Sequence, residues 1–564
     1  MVGKWGLRTC FLEKVVSRRY TPEHGFLARS LAVQTGRSDV LILGGGLAGL
    51  TLAIQLRREL PTLTVRVLER NRHPVPAAAF KVGESSVEIG AHYFDTVLGL
   101  KTHLDSHQLR KFGFRFFFSD GRDDVDRTTE LGVTQVFSTP AYQLDRGIFE
   151  NYLAEHAAAL GAQFVDGAVI NAIDLGKDTG AEHSVHYVRD GAGHTAEARW
   201  LIDASGRAGL LKRKLELTQV NGHDANAIWF RIDERLAIDE WSNDPAWRGR
   251  CTPAERWRST NHLCGPGYWA WLIPLSSGSH SIGIVADAAM HPLETINSFD
   301  KAMTWFARYQ PRLYRELDVR RERLQDFAFL RHYSHGCKQV FSADRWALTG
   351  DAGLFLDPFY SPGSDFIAIG NTYITALIGR DIRGERFARE ARLYEQLYFS
   401  FYRTMLTLYE GQYPMFGHAE IMPLKVTWDY AYYWGVFCQF FFQQRLTDLA
   451  LFTRLQPALA SCEALNREVQ LLLRRAAGTS IGANPAQMID QWRLPWFAEL
   501  NRGLTDCLDA AALEQRVRDN ALLLDALAGE ILARVQAIRT PVLDDLPILA
   551  ALGVRAPQLL REAA

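Results

Sequence analysis

Residues 38–49 read SDVLILGGGLAG, an apolar stretch that runs directly into a glycine-rich turn. The apolar part predicts a strand at 38–43, and LTLAIQLRREL (50–60) has the spacing of a helix that packs on one side. LTVRVLER (63–70) predicts a second strand. Strand, glycine turn, helix and strand in this order predict a βαβ unit with a right-handed crossover in a parallel sheet.

The glycine turn fits the dinucleotide-binding pattern G-x-G-x-x-G. Gly44 permits the tight turn, and Gly46 lets a pyrophosphate approach the backbone. Gly49 allows the helix to pack closely on the strand. Leu47 and Ala48, which precede that helix, are also assigned to the cofactor site, and the positive N-terminus of the helix would face the phosphates. A glycine-rich turn without function is the alternative.

Three further features bear on the cofactor, and the last two favour FAD over NAD. Glu69 ends the second predicted strand, where an acid is expected to bind the ribose hydroxyls. LIDASGR (201–207) and LTGDAGLFLDP (348–358) each place a glycine turn after a strand. In the second of these turns, Gly350 precedes Asp351, which is positioned to bond the ribityl or pyrophosphate part of a flavin dinucleotide. A helix N-cap is the alternative interpretation of Asp351.

The sequence contains no second G-x-G-x-x-G for an NAD(P)H-binding domain, so we expect the electrons to come from a separate protein. A helix is predicted over 144–164, and Arg146 at its start is assigned to the cofactor site.

The order of the predicted elements gives an α/β fold in which an FAD-binding, Rossmann-like domain is interleaved with a β-sheet substrate domain. Aromatic-rich strands are predicted at 107–118 and 132–137, and a hairpin is predicted from 268–275 and 281–285. The predicted organisation is a basic N-terminal extension (1–37), an FAD-binding domain (38–385) with sheet insertions (about 97–140 and 216–334), and a helical C-terminal region (386–564).

Composition excludes several classes of protein. The 564 residues carry 63 Lys+Arg and 64 Asp+Glu, a balance that argues against nucleic-acid binding through a general positive field. The seven cysteines are scattered and include no CxxC pair, so neither a disulfide framework nor a metal site is predicted. No stretch reaches the ~18–20 apolar residues of a membrane span. We therefore expect a cytoplasmic enzyme without a transmembrane segment.

Two segments suggest further chemistry. KVGESS (81–86) follows a run of small apolar residues, so the stem of Lys81 is expected to be partly buried, which suits a lysine that handles an electrophile. A surface lysine paired with Glu84 is the alternative. GYWAWLIPL (267–275) predicts a strand with both tryptophans on one face. A packed aromatic core is the simpler explanation of these tryptophans.

In four segments the sequence resembles the flavin-dependent halogenases of the flavin-monooxygenase superfamily: GGGLAG (44–49), KVGES (81–85), WAWLIP (269–274) and GDAGLFLDPFYSPG (350–363). The resemblance extends over about residues 38–380. Its most specific part is the W-x-W-x-I-P signature, whose fixed positions are all present: Trp269, Trp271, Ile273 and Pro274.

The resemblance implies an enzyme that uses FAD reduced by a separate flavin reductase, O2 and chloride or bromide to make hypohalous acid. It implies that this acid passes through a tunnel to the lysine of KVGES, Lys81. There it would halogenate an electron-rich aromatic or conjugated compound, either free or tethered to an acyl carrier protein. The tryptophan strand would separate flavin from substrate.

The sequence departs from the family pattern after Asp357. The tryptophan-specific members have a glutamate that assists the lysine, where this chain has Tyr360, so it is more similar to the phenol- and pyrrole-type members. Pro362 lacks one of the backbone N–H groups that hold halide in the family. We therefore assign halide binding to Ser361 and Gly363. A halogenase-like monooxygenase or oxidase that does not halogenate is the alternative function.

An aromatic-rich stretch covers residues 394–442. Core packing between helices is its simpler explanation, and a cover over the substrate entrance is the functional one. Arg392, Arg403 and Lys425 are basic residues that could face an acidic carrier protein, although a solvated surface explains them as well.

Overall fold

The computed structural model describes residues 34–77, 81–119, 121–176, 181–478 and 482–538. Most of the predicted basic extension and the last part of the helical region therefore lie outside the described residues. Within these ranges, the structure contains no helix with the length and apolar character that a membrane crossing requires.

The strands are β1 Gln34–Leu43, β2 Val65–Leu68, β3 Leu109–Arg110, β4 Phe114–Phe118, β5 Glu130–Gly132, β6 Tyr142–Gln143, β7 Gln163–Val165, β8 Val169–Asp174, β9 His183–Arg189, β10 Ala192–Asp203, β11 Thr218–Gln219, β12 Ala225–Ile232, β13 Thr260–Gly265, β14 Tyr268–Pro274, β15 His280–Asp287, β16 Leu324–Leu330, β17 Gly336–Cys337, β18 Trp346–Leu348 and β19 Met488–Asp490.

The helices are α1 Leu47–Glu59, α2 Glu88–His92, α3 Lys101–His107, α4 Arg146–Ala159, α5 Leu210–Lys214, α6 Pro245–Gly249, α7 Phe299–Tyr309, α8 Pro311–Asp318, α9 Gly363–Ile382, α10 Ala388–Leu406, α11 Ile421–Tyr432, α12 Cys438–Phe442, α13 Leu449–Ala477, α14 Pro495–Arg502 and α15 Ala510–Ile538. Two turns of π-helix, Tyr93–Val97 and Tyr433–Phe437, extend α2 and join α11 to α12.

The first sheet has seven strands in the order β7-β2-β1-β10-β9-β8, and β18 also pairs with β10. Strand β1 lies parallel to β2 and β10, and its apolar run at 40–43 is fully buried. Parallel strands covered by helices on both faces are expected to be apolar throughout. Strand β1 begins at Gln34, four residues before the predicted start, because the long β10 pairs with it back to His194.

The second sheet has eight strands in the order β16-β12-β15-β14-β13-β4-β5-β19. Its strands come from three separate parts of the chain, so the predicted α/β class with an interleaved sheet is confirmed. The predicted hairpin is β14 and β15, which pair antiparallel. The exact domain boundaries stay predictions.

Two strand predictions in the first sheet-rich insertion were wrong in their extent. The expected strand at 107–118 is divided, since α3 occupies its beginning and Gly113 (φ +69°) separates β3 from β4. The strand expected at 132–137 ends at Gly132. Beyond it, Thr134 turns to donate its hydroxyl to Asp490 (2.6 Å), which ends β19.

The C-terminal region is mainly helical, but it also supplies β19 to the second sheet. Its aromatic residues are largely core, and Trp428 and Trp434 are completely buried. Lys425 is completely buried as well and donates to Asp429 (2.8 Å) and Gln470 (2.7 Å). The hypothesis that Lys425 faces a carrier protein is therefore wrong.

Strand β14 divides two apolar cores. Trp269, Trp271 and Ile273 pack into the core shared with the first sheet and the C-terminal helices. Ala270 and Leu272 pack into a smaller core with α7 and α8. The predicted alternation of faces is thus confirmed, and the two indoles face the first sheet.

Candidate active site

A cavity of about 630 Å³ lies between the first sheet, strand β14 and the N-terminus of α9. Most of the residues singled out in the sequence line it: Gly44, Gly46, Leu47, Ala48, Glu69, Lys81, Arg146, Trp269, Trp271, Ile273, Gly350, Asp351, Ser361 and Gly363. Gly49 and Pro274 are not among the lining residues. The cavity therefore brings together segments that lie more than 300 positions apart in sequence.

The glycine turn has the geometry that its pattern predicts. Gly44 adopts φ +111°, a conformation that favours glycine. A Cβ on Gly49 would lie 2.0 Å from the Gly44 carbonyl oxygen, so Gly49 allows α1 to approach the turn. Gly46 precedes α1 without a capping side chain, which leaves the N-terminal N–H groups of Leu47 and Ala48 for a ligand.

Glu69 lies at the end of β2 and is almost completely buried. Its Oε2 accepts from the N–H of Gly45 (2.7 Å), and its Oε1 accepts from the N–H of Asn71 (2.8 Å). These bonds fix the carboxylate at the cavity wall, beside the glycine turn, where a ribose would bind.

Two arginines in the cavity wall have buried nitrogen atoms without partners among the described residues, Nε of Arg146 and one terminal nitrogen of Arg207. Burial lowers the pKa of Arg146 to about 10. The Nε atom of Arg207 lies 3.9 Å from Asp351. Unsatisfied buried donors of this kind fit an anionic ligand, and with the glycine turn they fit FAD.

Arg207 was missed at the sequence level. Its position was the available signal, since it ends the segment LIDASGR, which runs from the end of β10 into the turn after it. In the folded chain that segment lies beside the glycine turn, because β1 and β10 are neighbours.

Lys81 lies in the cavity wall and forms an ion pair with the buried carboxylate of Glu150. Glu150 also pairs with Arg146. Burial, followed by the charge of Arg146, lowers the pKa of Lys81 to about 8. The alternative interpretation, in which Lys81 pairs with Glu84, is wrong, because Glu84 pairs with Arg231 (2.8 Å).

A second lysine, Lys111, lies behind the cavity wall and is almost completely buried. Its Nζ donates to Ser85 Oγ (3.0 Å) and to the Ser86 carbonyl (3.1 Å), and it lies 3.3 Å from the centre of the Phe114 ring. All three partners are uncharged. Burial therefore holds the pKa of Lys111 well below its usual value, although the charge of Glu88 opposes the shift.

A strip of hydroxyl groups joins Lys111 to the cavity. Ser85 and Thr260 both line the cavity, and their hydroxyl oxygens lie 3.0 Å apart. Gln143 donates to Thr260 Oγ1 (2.9 Å), which fixes that side chain. Lys111 thus lies one hydrogen bond behind the cavity surface. Sequence analysis missed it because it was only one basic position in the stretch HQLRKFGF.

The two indoles of β14 line the cavity with ring centres 5.7 Å apart. Trp271 Nε1 donates to Ser281 Oγ (3.1 Å) on the neighbouring β15. Trp269 Nε1 donates to the hydroxyl of Tyr413 (2.9 Å), which donates to Asp357 (2.6 Å). These bonds hold both rings in fixed orientations.

The segment proposed to bind halide forms the entry to α9. Ser361 adopts φ +53°, and its N–H already donates to the Pro358 carbonyl (2.9 Å). Pro362 has no N–H, and Gly363 is the first residue of α9. A Cβ on Gly363 would meet no described atom within 4 Å. Space is therefore open beside Gly363, which together with Ser361 lines the cavity at this point.

The chain is similar to known proteins in sequence and in fold. A family model described as tryptophan halogenase matches residues 119–396, and an NAD(P)-binding Rossmann-like domain model matches residues 42–105. The flavin-dependent halogenase chlA of Dictyostelium discoideum is 30% identical over 372 residues. That alignment covers 60% of this chain and 60% of the relative.

A second relative is the 1H-pyrrole-2-carbonyl-(peptidyl-carrier protein) brominase of Pseudoalteromonas luteoviolacea, which is 27% identical over 58% of this chain and 74% of its own length. Among solved structures, halogenase PltM superimposes with a TM-score of 0.64 at 18% identity, over 88% of this chain and 96% of that one. At this identity the superposition concerns the fold. With the motif residues gathered in one cavity, these matches show that the chain is similar to the flavin-dependent halogenases over residues 119–396 and over about 60% of its length.

Proposed function

We propose that this protein is an FAD-dependent halogenase that acts on an electron-rich aromatic or conjugated substrate. The observation that carries the proposal is the continuity of the cavity. Dinucleotide-binding features lie at one end of it, the tryptophan wall and the N-terminus of α9 line the rest, and a hydroxyl strip connects it with a buried lysine.

FAD reduced by a separate flavin reductase, with O2 and halide, would supply hypohalous acid. Gly46 and the start of α1 would hold the pyrophosphate, Glu69 the ribose, and Arg146 and Arg207 the remaining anionic charge. Asp351, beside Arg207, would accept a hydrogen bond from a ribityl hydroxyl. Trp269 and Trp271 would keep the oxidant from reaching the substrate directly.

Halide is assigned to the N-terminus of α9. The 20-residue helix directs its positive end at this site, and the N–H of Gly363 and the hydroxyl of Ser361 would donate to the anion. With one backbone donor fewer than the family pattern has, we expect weak halide binding.

Two lysines are candidates for activating hypohalous acid. Lys81 is the residue that the family resemblance assigned, yet it shares Glu150 with Arg146 at the cofactor end of the cavity. Lys111 is separated from the cavity by Ser85 and faces an aromatic ring. We therefore assign the role to Lys111, whose ammonium group would give its proton to the departing hydroxide, and assign Lys81 to the cofactor site.

The substrate would lie on the Lys111 side, between β4 and the C-terminal helices. Phe114 is in contact with Tyr430 (ring centres 5.9 Å apart) and Tyr360 (6.2 Å) there. The relatives named for carrier-bound pyrrole substrates support a tethered substrate. Arg392 and Arg403 are exposed on α10 and remain the candidates for contact with an acidic carrier protein.

The test supplies the purified protein with a flavin reductase, NADH, FAD and either chloride or bromide. A β-diketone that reacts with hypohalous acid detects formation of the oxidant without the substrate. Halogenation of resorcinol, followed by mass, detects its use. A product that gains oxygen, or that forms without halide, would instead support the monooxygenase or oxidase alternative.

A further inference from the structure

The hydroxyl group of Ser85 lies between Lys111 and the cavity. Ser85 is among the described residues that line the cavity, and Lys111 is not. The Nζ atom of Lys111 donates to Ser85 Oγ (3.0 Å). A general acid must lie within hydrogen-bond reach of the atom that it protonates, directly or through one intervening group. For an oxidant in the cavity, Ser85 is in the position of that intervening group.

The backbone holds Ser85 in a fixed place. Ser85 forms an antiparallel bridge with Gln143, and the N–H of Ser86 donates to the Tyr142 carbonyl (2.9 Å). The Ser85 side chain is buried apart from the part that faces the cavity. Its hydroxyl oxygen therefore stays at the cavity wall, because both its backbone and its surroundings restrict its movement.

The hydrogen bonds of the hydroxyl strip run in one direction. Gln143 Nε2 lies 2.9 Å from Thr260 Oγ1 and also faces the Arg258 carbonyl at 3.5 Å, whereas Gln143 Oε1 lies 3.2 Å from Thr260 Oγ1. The shorter contact makes the amide a donor to Thr260, so the Thr260 hydroxyl donates onward to Ser85 Oγ (3.0 Å). Ser85 Oγ then accepts from both Thr260 and Lys111, which occupies its two lone pairs.

The proton of the Ser85 hydroxyl is consequently left for a ligand. Among the described residues, Ser85 Oγ has no third hydrogen-bonding neighbour. A hydroxyl that accepts from an ammonium group and from a second hydroxyl is a stronger donor, because each bond polarises the next one. Burial lowers the pKa of Lys111, which makes its ammonium group a stronger acid behind this hydroxyl.

We propose that Ser85 is a catalytic residue that relays protons between Lys111 and the oxygen of hypohalous acid at the hydroxyl strip. This inference rests on the proposed halogenation at Lys111. It explains how a lysine behind the cavity wall acts on an oxidant that it does not touch. It also separates the roles of two residues of KVGES, since Lys81 is assigned to the cofactor and Ser85 to the proton.

The relay balances without a further reagent. As the carbon–halogen bond forms, the halogen–oxygen bond of hypohalous acid breaks and its electron pair stays on the oxygen. The Ser85 proton passes to that oxygen to give water, and a proton of the Lys111 ammonium replaces it on Ser85. The ring proton then passes to Ser85 Oγ while the Ser85 proton returns to the Lys111 amine, which restores aromaticity and both side chains.

The experiment removes the Ser85 hydroxyl and then restores it. Ser85→Ala should lower the rate of resorcinol halogenation by roughly 100-fold, a typical contribution of a positioned proton donor. Formation of hypohalous acid, measured with the β-diketone, should stay unchanged. Ser85→Thr keeps a hydroxyl on Cβ and should halogenate within about threefold of the wild-type rate.

Ser259→Ala is the matched control. Ser259 precedes Thr260, and its completely buried hydroxyl donates to the Phe112 carbonyl (3.0 Å). This variant should halogenate at the wild-type rate. If Ser85→Ala does not fold, Ser85→Gly replaces it with the same expected loss.

A double variant separates a relay from an independent structural effect. Because Ser85 and Lys111 serve one proton path, Ser85→Ala should cause no further loss in the Lys111→Met background, whereas independent effects would multiply. A wild-type rate in Ser85→Ala beside an inactive Lys111→Met overturns the proposal, and so do losses that multiply in the double variant. Absence of hypohalous acid in the wild type contradicts the proposed function instead.

Discussion

The indole N–H of Trp269 donates a hydrogen bond to the hydroxyl of Tyr413 across 2.9 Å. The bond joins the wall strand β14 to the C-terminal region, 144 residues further along the chain. Tyr413 donates in turn to Asp357 Oδ2, which also contacts His223 Nε2 (2.6 Å) and accepts from Tyr333. Several groups thus share one carboxylate oxygen, and the orientation of the Trp269 indole depends on that shared contact.

Tyr413→Phe should loosen the Trp269 ring. Loss of the hydrogen bond leaves the indole N–H and Asp357 each with one partner fewer, at a cost of about 1–3 kcal/mol of stability. We expect peroxide release per halogenated product to rise several-fold, with FAD affinity unchanged. Tyr409→Phe is the control, since the Tyr409 hydroxyl has no partner among the described residues. If Tyr413→Phe releases no more peroxide per halogenated product than the wild type, the proposed role of this bond is wrong.

Lys111→Met should lower the rate of halogenation by roughly 100-fold or more. The variant has no ammonium group that could give a proton to the departing hydroxide. Formation of hypohalous acid should continue, which the β-diketone assay measures. Lys81→Met should instead weaken FAD binding. Lys301→Met, on the exposed part of α7, is the control and should change neither the halogenation rate nor the affinity for FAD. If only Lys81→Met abolishes halogenation while FAD stays bound, the assignment from the family resemblance is correct and ours is not.

Pro362→Ala should strengthen halide binding. The substitution restores a backbone N–H beside that of Gly363, and one hydrogen bond of about 1 kcal/mol corresponds to a roughly fivefold lower KM for chloride. Steady-state rates at several chloride concentrations give this constant, with the KM for NADH as the internal reference. A KM for chloride that rises or does not change would show that halide does not bind at this N–H.

Arg207→Ala should weaken FAD binding by roughly 10- to 100-fold, because a buried guanidinium that pairs with an anion contributes about 1.5–3 kcal/mol. Titration with FAD, followed by quenching of flavin fluorescence, measures the dissociation constant. Arg493→Ala, a highly exposed position in the C-terminal region, is the control. Equal FAD affinity in the Arg207 variant and the wild type would exclude this arginine from the cofactor site.

Stability should fall between pH 5 and pH 8 because of Asp365. Burial raises the pKa of Asp365 from 3.8 to about 8. In this window the folded protein retains a proton that the unfolded chain releases, so the contribution present at low pH is lost as pH rises. Asp365→Asn lacks this titration, and its Tm should fall less over the same range. If the Tm of the two proteins falls equally between pH 5 and pH 8, the pKa of Asp365 is not raised.

The fold and the cofactor end of the site could be predicted because their signals are local. GGGLAG between a strand and a helix specifies the turn, and Glu69 follows at the end of the next strand. Period-2 alternation in WAWLIP gave the correct face for Trp269 and Trp271. The misplaced strand at 132–137 had comparable alternation, but Thr134 bonds with Asp490 from a distant segment instead.

The amino-acid sequence by itself determined the α/β class, the dinucleotide turn and the face of the tryptophan wall, since each depends on residues within one or two consecutive elements. Only the tertiary structure decided which lysine lies behind the hydroxyl strip, that Glu150 rather than Glu84 pairs with Lys81, and that Tyr413 of the C-terminal region holds the Trp269 indole. The physical reason is burial: the pKa and the hydrogen-bond partners of Lys111 depend on desolvation by segments that meet only in the folded chain.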